Sequence, residues 1–162
     1  MVYKQYLLDA NIVIQVWNKY PNLLDTIENI EGIDYKIPED IAGELSIKEY
    51  VRFNKDFVLS NKFLKLLPHI IKSTDAVHTK EHIPRDFIKY TQNKDVYFVT
   101  GDKISINDYS LIDICEKNKE YTLVTDDKKM LRSAKTILDS SKILNFEGFV
   151  QELKELKILQ WN

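Results

Sequence analysis

The sequence predicts an α/β fold in three layers, α/β/α, with a central parallel sheet, and three observations predict it. Short runs rich in apolar residues, Tyr6-Leu7-Leu8, Tyr35-Lys36-Ile37 and Tyr121-Thr122-Leu123-Val124, suit strands buried on both faces. Between them, apolar residues recur at helical spacing. The alternation of strand and helix runs along the chain, which implies a parallel sheet with helices on both faces.

The elements follow in order. Tyr6–Leu8 is a strand ended by Asp9, and Ile12, Val13, Val16 and Trp17 then mark a helix. Pro21 opens a second helical segment through Leu23, Leu24, Ile27 and Ile30, which Gly32 stops. After the strand Tyr35–Ile37, Pro38 fits the first turn of a helix whose apolar side is Ile41, Leu45 and Ile47. Residues 50–100 are harder to place. Phe57, Val58, Phe63, Leu64 and Leu67 suggest helix, Pro68 and Pro84 interrupt, Ile83–Tyr90 reads as helix, and Val96–Val99 reads as strand. Ser105 with Asp108 three residues on resembles a capping box, with Asp in place of Glu or Gln, ahead of Leu111, Ile112 and Cys115. A helix begins at Met130, Leu131 and Ala134. Ser141–Leu144 is the last strand, and the final helix runs from Phe146 to Leu156, apolar at Phe149, Val150, Leu153 and Leu156.

At 162 residues, the expectation is one domain over 1–162, with residues 50–100 its least regular part. The composition, 44% hydrophobic and 30% charged, excludes disorder as the default state. A formal net charge of -2 gives no global basic excess, so any contact with nucleic acid must come from a local patch. The single cysteine, Cys115, allows neither an internal disulfide nor a zinc cluster and reads as a core thiol in a reducing compartment. Met1–Gln5 carries no signal-peptide pattern and no apolar run is long enough to cross a bilayer, so the expected location is cytoplasmic, with no membrane partner.

Chemistry is concentrated in four short acidic clusters, at Asp9, around Glu44, at Asp108, and at Asp126-Asp127. Ligands of open α/β sheets bind outside the carboxyl ends of the strands, where Asp9 and the Asp126-Asp127 pair fall. Carboxylates gathered there repel one another unless a cation lies between them, and hard divalent cations take oxygen ligands. Mg²⁺ or Mn²⁺ is therefore the expected cofactor, and phosphodiester hydrolysis the expected chemistry. Asp9 and Asp108 lead as direct ligands.

Taken together, the motifs are similar to those of the PIN-domain nucleases, and among them of the small bacterial VapC-type toxin ribonucleases. Tyr6-Leu7-Leu8-Asp9-Ala10-Asn11-Ile12 resembles the family's opening strand and first acid, and Ile37-Pro38-Glu39-Asp40-Ile41-Ala42-Gly43-Glu44-Leu45 its second motif. Ser105-Ile106-Asn107-Asp108-Tyr109-Ser110-Leu111-Ile112 resembles the third, Leu123-Val124-Thr125-Asp126-Asp127-Lys128-Lys129-Met130-Leu131 the fourth, and Ile143–Phe149 the closing strand and helix. The resemblance spans nearly the whole chain except residues 50–101. It implies a PIN-like fold, Asp9, Glu44, Asp108 and Asp127 as catalytic and metal-binding acids, and endoribonuclease activity on RNA as the toxin of a toxin–antitoxin pair. An antitoxin that masks the cleft and a second copy of the chain are the protein partners it brings into view.

Supporting roles fall to Asn11, Ser105, Thr125 and Asp126. Asn11 either bonds a ligand carboxylate or a phosphate, or caps the first helix. Thr125 either holds a water or phosphate or shapes its turn, and Ser105 is a helix cap first. Asp126 is expected to be a helix N-cap, and Asp113 to be solvent-exposed or in a local ion pair. Lys128, Arg132 and Lys135 share one side of a helix beside the acids and form the expected RNA-backbone stripe, with a solvated face as the plain alternative. Tyr109, Trp17 and Tyr20 are expected to pack rather than stack on bases. His69, His78 and His82 are expected at the surface. A non-catalytic PIN-like binding or regulatory module, and an RNA-processing or DNA structure-specific PIN nuclease, are the competing readings. Asn11 breaks the Asp-x-Asp of haloacid-dehalogenase-type phosphatases, and no Gly-rich phosphate loop or Gly-x-Ser-x-Gly elbow occurs.

Overall fold

A computed structural model describes residues 4–72, 88–91, 96–99 and 101–159. The chain begins with β1 (Lys4–Leu8), α1 (Ala10–Lys19), α2 (Leu23–Glu28), β2 (Ile33–Pro38) and α3 (Glu39–Ser46). The hairpin strands β3 (Tyr50–Phe53) and β4 (Asp56–Leu59) follow, then the short α4 (Asn61–Leu64), a 3-10 turn (Leu67–His69) and β5 (Ile70–Ile71). Next come β6 (Ile88–Thr91), β7 (Val96–Val99), β8 (Asp102–Ser105) and α5 (Ile106–Lys117). The chain closes with β9 (Tyr121–Val124), α6 (Lys128–Ile137), a second 3-10 turn (Ser140–Lys142), β10 (Ile143–Leu144) and α7 (Phe146–Glu155).

The fold is the three-layer α/β/α arrangement that the alternation predicts. Five strands lie in the order β10-β9-β1-β2-β5, and each neighbouring pair is parallel. β1 is central and buried, with Tyr6, Leu7 and Leu8 all fully shielded. From β1 the chain moves one way, through α1 and α2 to β2. From β9 it moves the other way, through α6 to β10. Right-handed crossovers in opposite directions put their helices on opposite faces. Accordingly α1 packs beside α3, and α5 beside α6. The strand order reverses between β1 and β9, which makes the gap at their carboxyl ends the topological switch point.

One contiguous core takes side chains from every layer, among them Ile12, Ile27, Ile41, Leu111, Leu123 and Phe149. Tyr6 meets Phe149 edge-on at 5.0 Å between ring centroids. Cys115 is fully buried, as its apolar setting suggests, and burial pushes its thiol up to about 12, so it is not a nucleophile at neutral pH. Tyr109 is also core, stacked on Tyr97 at 4.0 Å. Among the described residues no helix is long and apolar enough to cross a membrane.

Residues 50–105 depart from expectation. Phe57 and Val58 lie in the antiparallel β3–β4 hairpin, not in a helix, and only Phe63 and Leu64 fall in the short α4. Asn54 turns that hairpin at φ 57°, a conformation Asn tolerates better than most residues. The β-branched and aromatic residues of Val51, Phe53, Phe57 and Val58 favour strand once a two-residue turn is available. The helix read over Ile83–Tyr90 is corrected at its end, where Ile88–Thr91 is β6, while 83–87 lie outside the described residues. Val96–Val99 is the strand expected, and pairs antiparallel with both β6 and β8. Gly101, at φ 88°, supplies the turn from β7 into β8. Elsewhere the differences are local. Ile30 lies beyond α2, Ile47 is 75% exposed rather than facing the core, and Leu156 is exposed. Only Ile143–Leu144 of the last strand is strand, because Ser140–Lys142 forms a 3-10 turn capped by Asp139.

Candidate functional site

β1 and β9 run in register to Leu8 and Val124, so the next residues, Asp9 and Thr125, emerge side by side at the switch point. Asp9 is 4% exposed. It caps α1 by accepting from the Ala10 N–H at 2.8 Å through Oδ1. Its Oδ2 accepts from the Thr125 hydroxyl at 2.6 Å and from Asn11 Nδ2 at 3.1 Å. Burial pushes the carboxyl up, the Thr125 and Ala10 bonds pull it down, and the charges of Glu44 and Asp127 push it up again.

Asp108 stands in the first turn of α5. Ser105 caps this helix, its hydroxyl accepting from the Asp108 N–H at 3.1 Å, so the capping expectation holds. Burial first, and the charge of Asp9 next, push the Asp108 carboxyl up to about 7, with Asp127 and Glu44 adding to the shift and Ser105 opposing it. Asp9, Glu44, Asp108 and Asp127 therefore act on one another electrostatically, as their order along the chain suggests. Among the described residues, no lysine or arginine contributes to the shift of Asp9 or Asp108.

Glu44 comes from the exposed end of α3, and its Oε1 accepts from Asn107 Nδ2 at 2.9 Å. This bond ties α3 to the first turn of α5. Asn107 is the site residue that sequence reasoning left without a role. Its position next to Asp108, in a helix's first turn, was the available signal.

The Asp126-Asp127 pair divides differently from expectation. The N-cap of α6 is Asp127, whose Oδ1 accepts from Met130 N–H at 3.0 Å. Asp126 instead accepts from the Phe146 N–H at 2.7 Å and from Gln15 Nε2 at 2.6 Å. Its own N–H donates to Asn11 Oδ1 at 3.1 Å. The reason is geometric: the Thr125 hydroxyl accepts the Asp127 N–H at 3.2 Å and turns the chain, so the second acid, not the first, meets the open helix end. Asn11 consequently does not cap α1. It bridges Asp9 and the turn after β9, the carboxylate-binding option of its two readings.

The remaining candidates separate. Lys128 and Lys135 are exposed on α6, but Arg132 is held by Asp102 of β8 in a two-pronged pair at 3.0 and 3.1 Å. That pairing keeps Asp102 below the usual carboxylate range. Asp113 is buried and paired to Lys117 at 3.0 Å, so the ion pair holds and the solvent exposure does not. Tyr20 stacks on Phe146 and Trp17 lies under the Lys62 ammonium at 4.7 Å. His69 is 5% exposed, which corrects its surface placement. His78 and His82 lie outside the described residues.

The donor set is all oxygen, anionic and crowded, which suits a hard divalent cation with a partial water shell. Among the described residues no three acidic, His or Cys side chains stand close enough to hold an ion in their present rotamers. Glu44 and Asp127 are exposed and bonded through few atoms, so the acids that must close in are the least restrained ones.

Among solved structures, the chain is similar to PAE2754 from Pyrobaculum aerophilum, with a TM-score of 0.55 and 14% identity over 94% of this chain and 90% of that one. At that identity the likeness speaks for the fold alone. No protein-family profile matches the chain, and no curated protein sequence does.

Proposed function

We propose that this chain is a Mg²⁺- or Mn²⁺-dependent endoribonuclease of the PIN-domain kind. The observation that carries the reading is the meeting of Asp9, Glu44, Asp108 and Asp127 at the switch point, with Asp9 buried and Asp108 raised to about 7. Raised, mutually repelling carboxylates in a structural role would be costly to keep, and they are what a cation site contains before its ion arrives.

Asp9 and Asp108 would hold the ion directly, and Glu44 and Asp127 would complete the shell through their own oxygens or through water. A divalent cation held by these acids would supply activation of water and neutralisation of the leaving oxygen of a phosphodiester. The protein's own contribution is orientation. Thr125, Asn11 and the Ala10 N–H fix Asp9 by three hydrogen bonds. Asn107 holds Glu44, and Ser105 sets the first turn that carries Asp108. Lys128 and Lys135, at the start of the helix that Asp127 caps and about two turns along it, offer charge for the RNA backbone. Toxin action, checked by an antitoxin over the cleft, is the biological setting this reading favours.

The test is direct. Purified protein should cut single-stranded RNA with Mg²⁺ or Mn²⁺ and stop in EDTA. Asp9→Asn, which preserves size and removes charge, should lower cleavage by about 100-fold or more. Full activity in EDTA, or in Asp9→Asn, would end the proposal.

A further inference from the structure

Much of the apolar surface that the core does not use lies on one arm. Among the described residues, the exposed large apolar side chains concentrate between positions 47 and 67, and Ile47, Tyr50, Val51, Phe57 and Val58 belong to the β3–β4 hairpin or its approach. Every described side chain from Tyr50 to Val58 is exposed, and the hairpin meets the core at Leu59. A two-stranded hairpin alone in water is marginally stable, and further strands are what make it firm.

The register sets which residues share a face. Tyr50 lies opposite Leu59 and Arg52 opposite Phe57 on one face, and Val51 lies opposite Val58 on the other. Apolar side chains thus stand on both faces, so neither is composed as a solvent face. The backbone is directional too. The Ser60 N–H donates to the Glu49 carbonyl at 2.7 Å, which makes these two a hydrogen-bonded pair. Such pairs alternate along an antiparallel ladder. Val51 and Val58 are the next one, so Phe57 and Leu59 turn their N–H and C=O to the outer edge of β4. Among the described residues the sheet ends there, at two strands. Exposed edges are usually blunted by charge, proline or a bulge. β3 carries Arg52 in mid-strand, whereas the one charge of β4, Asp56, sits at the turn.

We propose that β4 pairs with β4 of a second copy of this chain, antiparallel about a two-fold axis through Val58. The edge is self-complementary. Phe57 of each copy exchanges two backbone hydrogen bonds with Leu59 of the other, and the two Val58 residues meet across the axis. Asp56 falls opposite Ser60, so no like charges face each other. The product is a four-stranded sheet with the same contacts from both copies, which closes the assembly at two. The area is sufficient. At roughly 150–250 Å² for a free side chain of this size, the five apolar residues leave about 500 Å² open. Homodimer interfaces are about 65% apolar and bury about 800 Å² per partner, so the arm carries the apolar area that a standard-size dimer uses. The proposal does not depend on nuclease activity.

The experiment uses full-length protein in analytical ultracentrifugation across the micromolar range. The wild type should sediment as a dimer. Val58→Lys and Val58→Glu each set like charges against one another at the axis, and each alone should weaken dimerisation about 10-fold or more. Val58 is exposed, so both variants should keep the wild-type melting curve. Mixing the two should restore a dimer with one chain of each, which requires residue 58 to face its own counterpart. Val58→Cys should crosslink two chains on oxidation, because Cα atoms across a non-hydrogen-bonded pair lie about 4.5 Å apart, within disulfide reach. Phe57→Cys should not crosslink, and Cys115 is buried and takes no part. A monomeric wild type would overturn the proposal and leave the edge to a strand of another protein. A dimer that Val58→Lys leaves unchanged, a lysine–glutamate mixture that stays monomeric, or equal crosslinking through position 57 would overturn it as well.

Discussion

Asp108 sets the behaviour of the metal-free protein at neutral pH. Its folded carboxyl titrates at about 7, against an ordinary 3.8. The folded state therefore holds a proton that the unfolded chain has released. The stability that Asp108 contributes is fullest below about pH 4 and is lost as pH rises through about 7. In EDTA, thermal melts should show Tm falling over that window, and Asp108→Asn should flatten the fall and raise Tm at pH 7.5 by a few degrees. The same variant should lose metal-dependent cleavage, the usual opposition between site and stability. If Asp108→Asn melts with the wild-type pH profile, the crowding of carboxylates has been misread. Its neighbour pair gives a second contrast. Asp126 bonds to α1 and α7, so Asp126→Ala should cost about 1–3 kcal/mol in denaturant unfolding. Asp127→Asn can still cap α6 and should cost little stability while lowering metal affinity. The sequence showed these acids plainly but not their division of labour. That division depends on the Thr125 hydroxyl, which joins residues more than a hundred positions apart.

At the level of elements, α6 carries the substrate hypothesis. Its side facing Asp102 is already occupied, because Arg132 is paired there. Lys128 and Lys135 have no ion pair among the described residues. Changing both to Ala should weaken RNA binding and make the log affinity–log salt slope shallower by about two units, with base preference kept. Arg132→Ala alone should leave that slope nearly unchanged. An Arg132 effect as large as the double lysine effect would mean that the Asp102 pair opens for substrate. The elements that sequence revealed best were the long-period ones, α1, α5 with its Ser105 cap, and α7, together with the buried strands β1 and β9. The β3–β4 hairpin was missed because four-residue strands with apolar residues on both faces have no period to read. Phe57, 70% exposed, sits on a strand whose sequence resembles a buried helix face. Tertiary context, not local preference, decided it.

For the whole molecule, the α/β/α layering and the parallel centre were legible because each crossover announced itself as strand, helix, strand. The inserted antiparallel β6–β7–β8 sheet was legible only at Val96–Val99, since its strands are short. The candidate site was nevertheless readable across that insertion. Asp9 and Asp127 follow strands and Asp108 sits in a first helical turn, positions that a doubly wound topology sends to one edge whatever lies between, while Glu44 lies in the second half of α3.

The central place of β1 has a further consequence, in time rather than space. β1 gains β2 after some thirty residues of chain, but β9 pairs with it only when a segment 116 positions later arrives, as between Gln5 and Tyr121. Long loops close slowly. Asp9 and Glu44 are therefore presented early and Asp108 and Asp127 late, and the chain passes through forms that have a folded first half and only half of the acidic cluster. In stopped-flow refolding, metal-dependent protection of the site should appear only in the slowest phase, after most helical signal has returned. On the nuclease reading proposed above, a chain that emerges from the ribosome in this order would be silent on nearby RNA until its last third has been made. Metal protection appearing together with the earliest helical signal would contradict that sequence of events.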